Sequence, residues 1–431
     1  MMSGKITASA STKYYELCLS TFSAFEDHDF YGPKAQHIYL YGVICQQTIH
    51  LLRKDLENIL RGPVKKSKAK QKPIVLHLHS PGGSSELGMT LVSFIKEISI
   101  PVAIVVDGKA CSAATPLLVA GMYRVMHDLS FVMIHEGSVQ LEYSKFNNAR
   151  FDIQTYLPHI EETYMKMYQN QTRVPLDVLN DMMSRDIYMN ATTCLKWNVV
   201  DRVLSLNNSI QSKMKDPVSK LFYQGKHYNP WDIKLNHIFH YDLKPSFKSN
   251  TEDDLKEKIT TESLLRFVQP LQLTLEKKLN KNNRVPVVIH NNMFSQPSSN
   301  WFDISTIMIR VLQMPIPVYS IIDSALDLIT ALPSILAYKR YMYNTACIMV
   351  RLVFTHQDIK SQYYHDIKHN TELLRQTIGD ILKKTTRLPK TILDTLFEQR
   401  IMLSAQDCLK YGMVDEIIDQ SIRPSLMRGR N

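Results

Sequence analysis

The chain has 431 residues, 44% of them hydrophobic and 21% charged, with a formal net charge of +10. That length suits two domains with a core each, and the balance is that of a soluble globular protein. No apolar run approaches the roughly 18–20 residues of a membrane-spanning helix, so no membrane attachment is expected.

Residues 1–27 are Ser/Thr-rich and acid-poor at their start, and they lack the apolar core of a secretory signal. They are expected to form an N-terminal tail, with an organelle transit peptide as the other reading. Gln36–Gly42 reads as a first strand. Thr48–Leu60 reads as an amphipathic helix with Leu51, Leu52, Leu56, Ile59 and Leu60 at helical spacing. Lys65, Lys66, Lys68, Lys70 and Lys72 then crowd one loop. No aromatic residues interleave with them, so a solvated loop is expected and no nucleic acid partner.

Ile74–Leu78 is an apolar strand that stops at Ser80-Pro81-Gly82-Gly83. Paired glycines let a turn approach a ligand with its amides free. Leu87–Ile98 follows as a helix, and Val102–Val106 is a strand ending at Asp107-Gly108. Ala110–Ala120 reads as a small-residue helix, which puts Ser112 where a buried strand turns into a helix N-terminus. Phe131–Ile134 is a further strand, with His135 at its end. Phe146–Gln171 reads as a long helix, and another begins at Val174-Pro175 and runs through Met183. Strand–helix alternation of this kind predicts an α/β fold with parallel strands and right-handed crossovers. A serine at a helix N-terminus is by itself only a cap, and Ser-Pro-Gly-Gly only a turn. It is their order on successive strand ends that points to chemistry.

The set Ser80-Pro81-Gly82-Gly83, then Gly108–Thr115, then Val132–Glu136 resembles the proteolytic subunit of the Clp ATP-dependent protease. The resemblance spans roughly Gln36 to Leu204. It implies a crotonase-like spiral of ββα units and a serine endopeptidase activity. Carried over by position, the nucleophile is Ser112, the base is His135 and the acid is Asp186, in the segment Ser184–Ala191. The oxyanion amides are those of Gly83 and Ala113. The helix start Ala113-Ala114-Thr115-Pro116 departs from the family's Met-Gly-Ala, and Glu136-Gly137 replaces its Gln-Pro. The resemblance also implies unfolded-protein or peptide substrates and a ring-forming homo- or hetero-oligomer. A Clp-type AAA+ unfoldase would be a separate partner, because no phosphate-binding GxxxxGK[ST] loop is present. No metal or cofactor is implied. Six widely spaced cysteines (Cys18, Cys45, Cys111, Cys194, Cys347 and Cys408) argue for reduced thiols and a cytoplasmic or cytosol-like organelle compartment.

An internal repeat sets the domain count. Thr172-Arg173-Val174-Pro175 recurs 214 positions on as Thr386-Arg387-Leu388-Pro389. Ala191, Cys194, Leu195, Lys196, Val200 and Asp201 recur at the same offset, and Ile100-Pro101-Val102 and Asp107 recur as Ile316-Pro317-Val318 and Asp323. The fold class expected is therefore two tandem Clp-protease-like repeats. The first covers 28–206 and carries the triad, 207–231 is a linker, 232–420 is a degenerate second repeat, and 421–431 is a basic tail. Leu328, Leu352 or a neighbour, and Arg400 stand where the second repeat would need its triad, and Asn291-Asn292-Met293-Phe294 replaces the glycine turn. Each is incompatible with triad chemistry. The rival reading is a non-catalytic structural subunit of a Clp-type ring. A tandem signal-peptide peptidase would place its serine in the second repeat, where Leu328 stands. An acyl-CoA enzyme of the crotonase group would not need Ser, His and Asp in this order.

Overall fold

The computed structural model describes residues 6–61, 72–137, 157–208, 239–243, 268, 287–291, 301–314, 317–350, 364–395 and 400–418. They fall into two compact units. One takes its residues from 1–30, 34–206 and 359–370, the other from 31–33, 207–358 and 371–431. Residues 359–370, second-repeat by sequence, thus belong to the first unit. Among the described residues no helix is long and apolar enough to cross a membrane.

The first unit is built on a parallel sheet of β1 (Gln36–Tyr41), β2 (Ile74–Ser80), β3 (Val102–Cys111), β4 (Tyr123–His127) and β7 (Arg202–Leu204), in that order. All seven residues of β2 are buried, as a strand covered on both faces requires. Connections run through α2 (Gln46–Arg61), α3 (Ser85–Glu97) and α4 (Ala114–Ala120). Two short strands leave the main sheet: β5 (Phe131–Met133) pairs parallel with the end of β3, and β6 (Tyr188–Met189) pairs antiparallel with β5. Around them lie α5 (Leu157–Gln171), α6 (Leu176–Met183) and α7 (Ala191–Lys196).

Several sequence expectations change here. The N-terminal stretch is not a tail: Ile6–Ser23 is a helix, α1. Cys18 and Phe22 on it are fully buried, Phe22 stacks on Tyr123, and the Tyr14 hydroxyl donates to the Ile100 carbonyl at 2.7 Å. On α2 the buried stripe is Ile49, Leu52 and Leu56, while Leu51 and Leu60 face solvent. Strand β3 does not end at Asp107-Gly108 but continues to Cys111 through a register shift, with Leu78 opposite Val106 and Ser80 opposite Ala110. Asp107 is buried there, accepting from the Tyr41 hydroxyl at 2.5 Å with His77 Nδ1 3.0 Å away, so it partners the sheet instead of capping a turn. The small-residue helix consequently begins only at Ala114. The lysine loop at 65–70, residues 146–156 of the long helix, the linker beyond 208 and the basic tail lie outside the described residues.

The second unit has a parallel sheet of matching order: β8 (Phe239–Leu243), β9 (Val287–Asn291), β10 (Val318–Ile322), β12 (Lys339–Tyr343) and β15 (Glu416–Ile418). A side sheet joins β11 (Leu326–Asp327), β13 (Cys347–Val350) and β14 (Ile401–Ser404). Its helices are α8 (Trp301–Gln313), α9 (Leu328–Ile335), α10 (Tyr364–Thr385, whose first turns lie in the first unit), α11 (Lys390–Thr395) and α12 (Ala405–Lys410).

The duplication extends to individual bonds. Arg124 Nη2 reaches Asp201 Oδ1 at 2.6 Å while the Arg124 main-chain N–H and Nε donate to Asp201 Oδ2. Arg340 repeats all three contacts with Asp415, again at 2.6 Å for Nη2. Likewise His77–Asp107 recurs as His290–Asp323, Nδ1 to Oδ2, at 3.0 and 3.2 Å. The mixed α/β architecture of two related repeats is thus as the sequence predicts.

Candidate active site

The site forms where β2, β3 and β5 end. Ser80 Oγ accepts from the Gly82 N–H at 3.1 Å and starts the turn. Ile44 then bridges it, donating its N–H to the Gly82 carbonyl at 2.7 Å and accepting from the Ser84 N–H at 2.9 Å. This parallel bridge uses the residues on either side of Gly83, so the Gly83 N–H is left undonated among the described residues. Gly82 and Gly83 have φ of 97° and 141°, in the region that favours glycine. A Cβ at Gly82 would come within 2.6 Å of Ser112 Cβ, and one at Gly83 would collide with the Ile44 carbonyl. The glycine pair therefore lets this turn lie against Ser112.

Ser112 follows β3 directly, with φ of 53°, and donates its N–H to the Met133 carbonyl at 3.0 Å. A positive φ on serine costs on the order of 1–3 kcal/mol and persists only when neighbours over-determine it. Here they do. Thr115 donates to the Ser112 carbonyl through both its N–H (2.9 Å) and Oγ1 (2.6 Å), and Tyr168 Oη sits 2.8 Å behind Thr115 Oγ1. The Ala113 N–H is undonated among the described residues.

His135 and Asp186 come together through strand register. Met133 pairs with Tyr188 in the antiparallel β5–β6 ladder, and extending that ladder by two residues places His135 opposite Asp186. The Glu136 N–H, donating to the Met183 carbonyl at 2.7 Å, holds the two strand ends side by side. His135 Nδ1 lies 2.6 Å from Asp186 Oδ1, with side chains 28% and 53% exposed. The hydrogen bond from His135 holds the Asp186 carboxyl below the ordinary carboxylate range, against the opposing effect of partial burial. Parallel pairing of Cys111 with Met133 sets Ser112 beside Ile134, one residue from His135. Among the described residues Ser112 Oγ makes no hydrogen bond, so the serine is adjacent to the His–Asp pair without being engaged by it.

Thr115, Tyr168, Asp366 and Asn370 were not singled out by sequence. Thr115 had a local signal, a threonine three residues after a serine at a strand-to-helix turn. Asp366 and Asn370 had none, because they reach this region from 180 to 184 residues away.

The second unit differs at the corresponding places. Leu328 is fully buried as the first residue of α9, behind an ordinary N-cap in which Asp327 Oδ1 accepts from the Thr330 N–H at 2.8 Å. Its strand-to-helix turn has neither a nucleophile nor the strained backbone. Arg400 is exposed, and positions 292–294 and 352 lie outside the described residues.

Comparison with known proteins agrees with this architecture. The family model described as Clp protease matches residues 40–207 and 333–421, more than half of the chain and a part of each repeat. The chain is also similar to the ATP-dependent Clp protease proteolytic subunit of Deinococcus radiodurans, 27% identical over 137 residues. That alignment covers 31% of this chain and 66% of the relative's own length. The chain belongs to the Clp protease family.

Proposed function

We propose that the first unit is a serine-type endopeptidase working through Ser112, His135 and Asp186. The observation that carries the reading is the 2.6 Å contact of His135 Nδ1 with Asp186 Oδ1, at strand ends adjoining Ser112. In the proposed reaction His135 Nε2 takes the proton of Ser112 Oγ, which attacks a peptide carbonyl. Asp186 keeps the imidazole in the Nδ1–H tautomer and balances the imidazolium that forms. The amides of Gly83 and Ala113 receive the oxyanion, usually the largest single electrostatic contribution in acyl transfer. His135 returns the proton to the leaving amine, and water hydrolyses the acyl-enzyme.

The substrates on this reading are unfolded proteins or peptides, and the working form is a ring of such chains, alone or with other subunits. The relative's name includes ATP dependence, which here would come from a separate AAA+ unfoldase. The second reading, a non-catalytic ring subunit, is favoured by the unengaged Ser112 Oγ. Catalytic hydrogen bonds in unliganded sites are often loose and tighten with substrate, so the peptidase reading remains the better one. Hydrolysis of a fluorogenic peptide by the full chain, compared with Ser112→Ala, tests it. Turnover that disappears in the variant is expected, and turnover that survives Ser112→Ala would refute the mechanism.

A further inference from the structure

The carboxylate of Asp186 is 53% exposed and among the described residues has one side-chain partner, His135, so the side-chain packing described does not fix where it points. Its main chain, in contrast, is held on both polar groups by α10. Asp366 Oδ2 accepts the Asp186 N–H at 3.1 Å, and Asn370 Nδ2 donates to the Asp186 carbonyl at 2.7 Å. Asn370 Oδ1 also accepts the Tyr188 N–H at 2.9 Å. Only one orientation of the Asn370 amide makes both bonds. Asp366 Oδ1 in turn accepts from Arg185 Nε at 2.9 Å and lies 2.8 Å from Arg185 Nη2, an ion pair whose acid side chain is only 7% exposed. Asp366 and Asn370 are four residues apart and so share one face of α10. Strand β5 secures this segment along one edge through Met133–Tyr188, and the two α10 side chains take the place of a neighbouring strand along the other.

Resting on the peptidase reading, we propose that Asp366 and Asn370 are positioning residues for the triad acid. They fix the Asp186 backbone so that its carboxylate meets His135 Nδ1. A stretch that belongs by sequence to the repeat without a triad would thereby complete the triad of the other. A repeat without a triad of its own then has a positioning role in the chemistry of the other.

The test compares Asn370→Ala, Asp366→Ala and Asp366→Asn in the full chain, with Glu372→Ala, an exposed position on the same helix, as control. Both alanine variants should lower kcat by about 10–100-fold with KM changed less than about two-fold, because misplacement of a positioned group weakens the transition state rather than binding. Asp366→Asn keeps an acceptor for the Asp186 N–H and should recover most of that loss. The low-field proton resonance of His135 Nδ1–H should move in both alanine variants and stay in place in Glu372→Ala. Unchanged kcat and an unmoved resonance in Asn370→Ala would overturn the proposal. If the alanine variants do not fold, hydrogen exchange in the unmodified chain decides it: the Asp186 and Tyr188 amides should be protected, and free exchange at both would overturn it. The resonance and the amide protection require no turnover. A chain that never hydrolyses peptide would therefore contradict the function proposed above while these two readouts still judge the role of α10.

Discussion

Thr115 Oγ1 donates to the carbonyl oxygen of Ser112 at 2.6 Å, and the same oxygen atom of Thr115 lies 2.8 Å from the buried hydroxyl of Tyr168. This chain holds the turn at its positive φ. Thr115→Val should therefore destabilise the fold by about 1–3 kcal/mol, since it also leaves the Tyr168 hydroxyl buried without a partner. Peptide turnover should drop more than stability would account for. Tyr168→Phe leaves the Thr115–Ser112 bond in place and should cost less on both counts. Denaturant titration alongside peptide kinetics separates the two.

The strain itself can be measured at position 112. Ser112→Gly relieves the penalty of a left-handed conformation, and Ser112→Ala does not. The glycine variant should be more stable than the alanine variant by about 1 kcal/mol, although on the proposed mechanism neither should turn over peptide. Equal midpoints would mean that the turn relaxes at no cost.

The cysteines should react selectively. Hydrogen bonds from the main chain and side chain of Thr48 lower the Cys45 thiol, which is partly exposed, whereas burial pushes Cys111 up to about 12. At neutral pH iodoacetamide should modify Cys45 well before Cys111, although Cys111 adjoins the proposed nucleophile. Peptide mapping after brief alkylation of the native chain checks this, and early modification of Cys111 would contradict the burial.

The duplicated arginine pairs give a stability prediction. Arg124 is 8% exposed, so Asp201→Ala strands a nearly buried guanidinium and should cost about 3–5 kcal/mol. Asp415→Ala should cost less, because Arg340 is twice as exposed, at 16%. Urea unfolding of the two variants ranks them.

The Arg124–Arg340 correspondence was within reach of the sequence. It lies at the 216-residue offset that already links Ile100 to Ile316 and Asp107 to Asp323. The parallel-sheet architecture was legible because its apolar strands end at recognisable turn residues. The length of β3 was not, because Asp107-Gly108 carries turn chemistry that a tertiary partner, the Tyr41 hydroxyl, turns to another use. Helix α1 was hidden because its composition resembles a tail, and only its docking through Phe22 and Tyr14 gives it a place. His135 and Asp186 could be named from their motifs, but their meeting depends on strand register. The bonds from Asp366 and Asn370 to the Asp186 main chain leave no sequence signal at all, since any helix face with an acid and an amide four apart looks the same.

The acid limb of the site follows from Asp186. Its folded value is depressed, so its contribution to stability is fully present above the ordinary unfolded value, about 3.9, and is lost as pH falls through the lower folded value. Because the group is half exposed, screening keeps that contribution small. Asp186→Asn should therefore flatten the acid-unfolding curve only below about pH 4. At neutral pH the same variant should lose about 10⁴-fold in kcat while folding normally, through loss of the Nδ1–H tautomer.

The most direct test of the central claim is covalent labelling of the full chain with a fluorophosphonate, followed by mass-spectrometric location of the adduct. A single adduct on Ser112, lost in His135→Ala and Ser112→Ala, is the predicted result. A folded chain that takes up no label at Ser112 would contradict the account and leave the second reading, a structural subunit of a Clp-type ring.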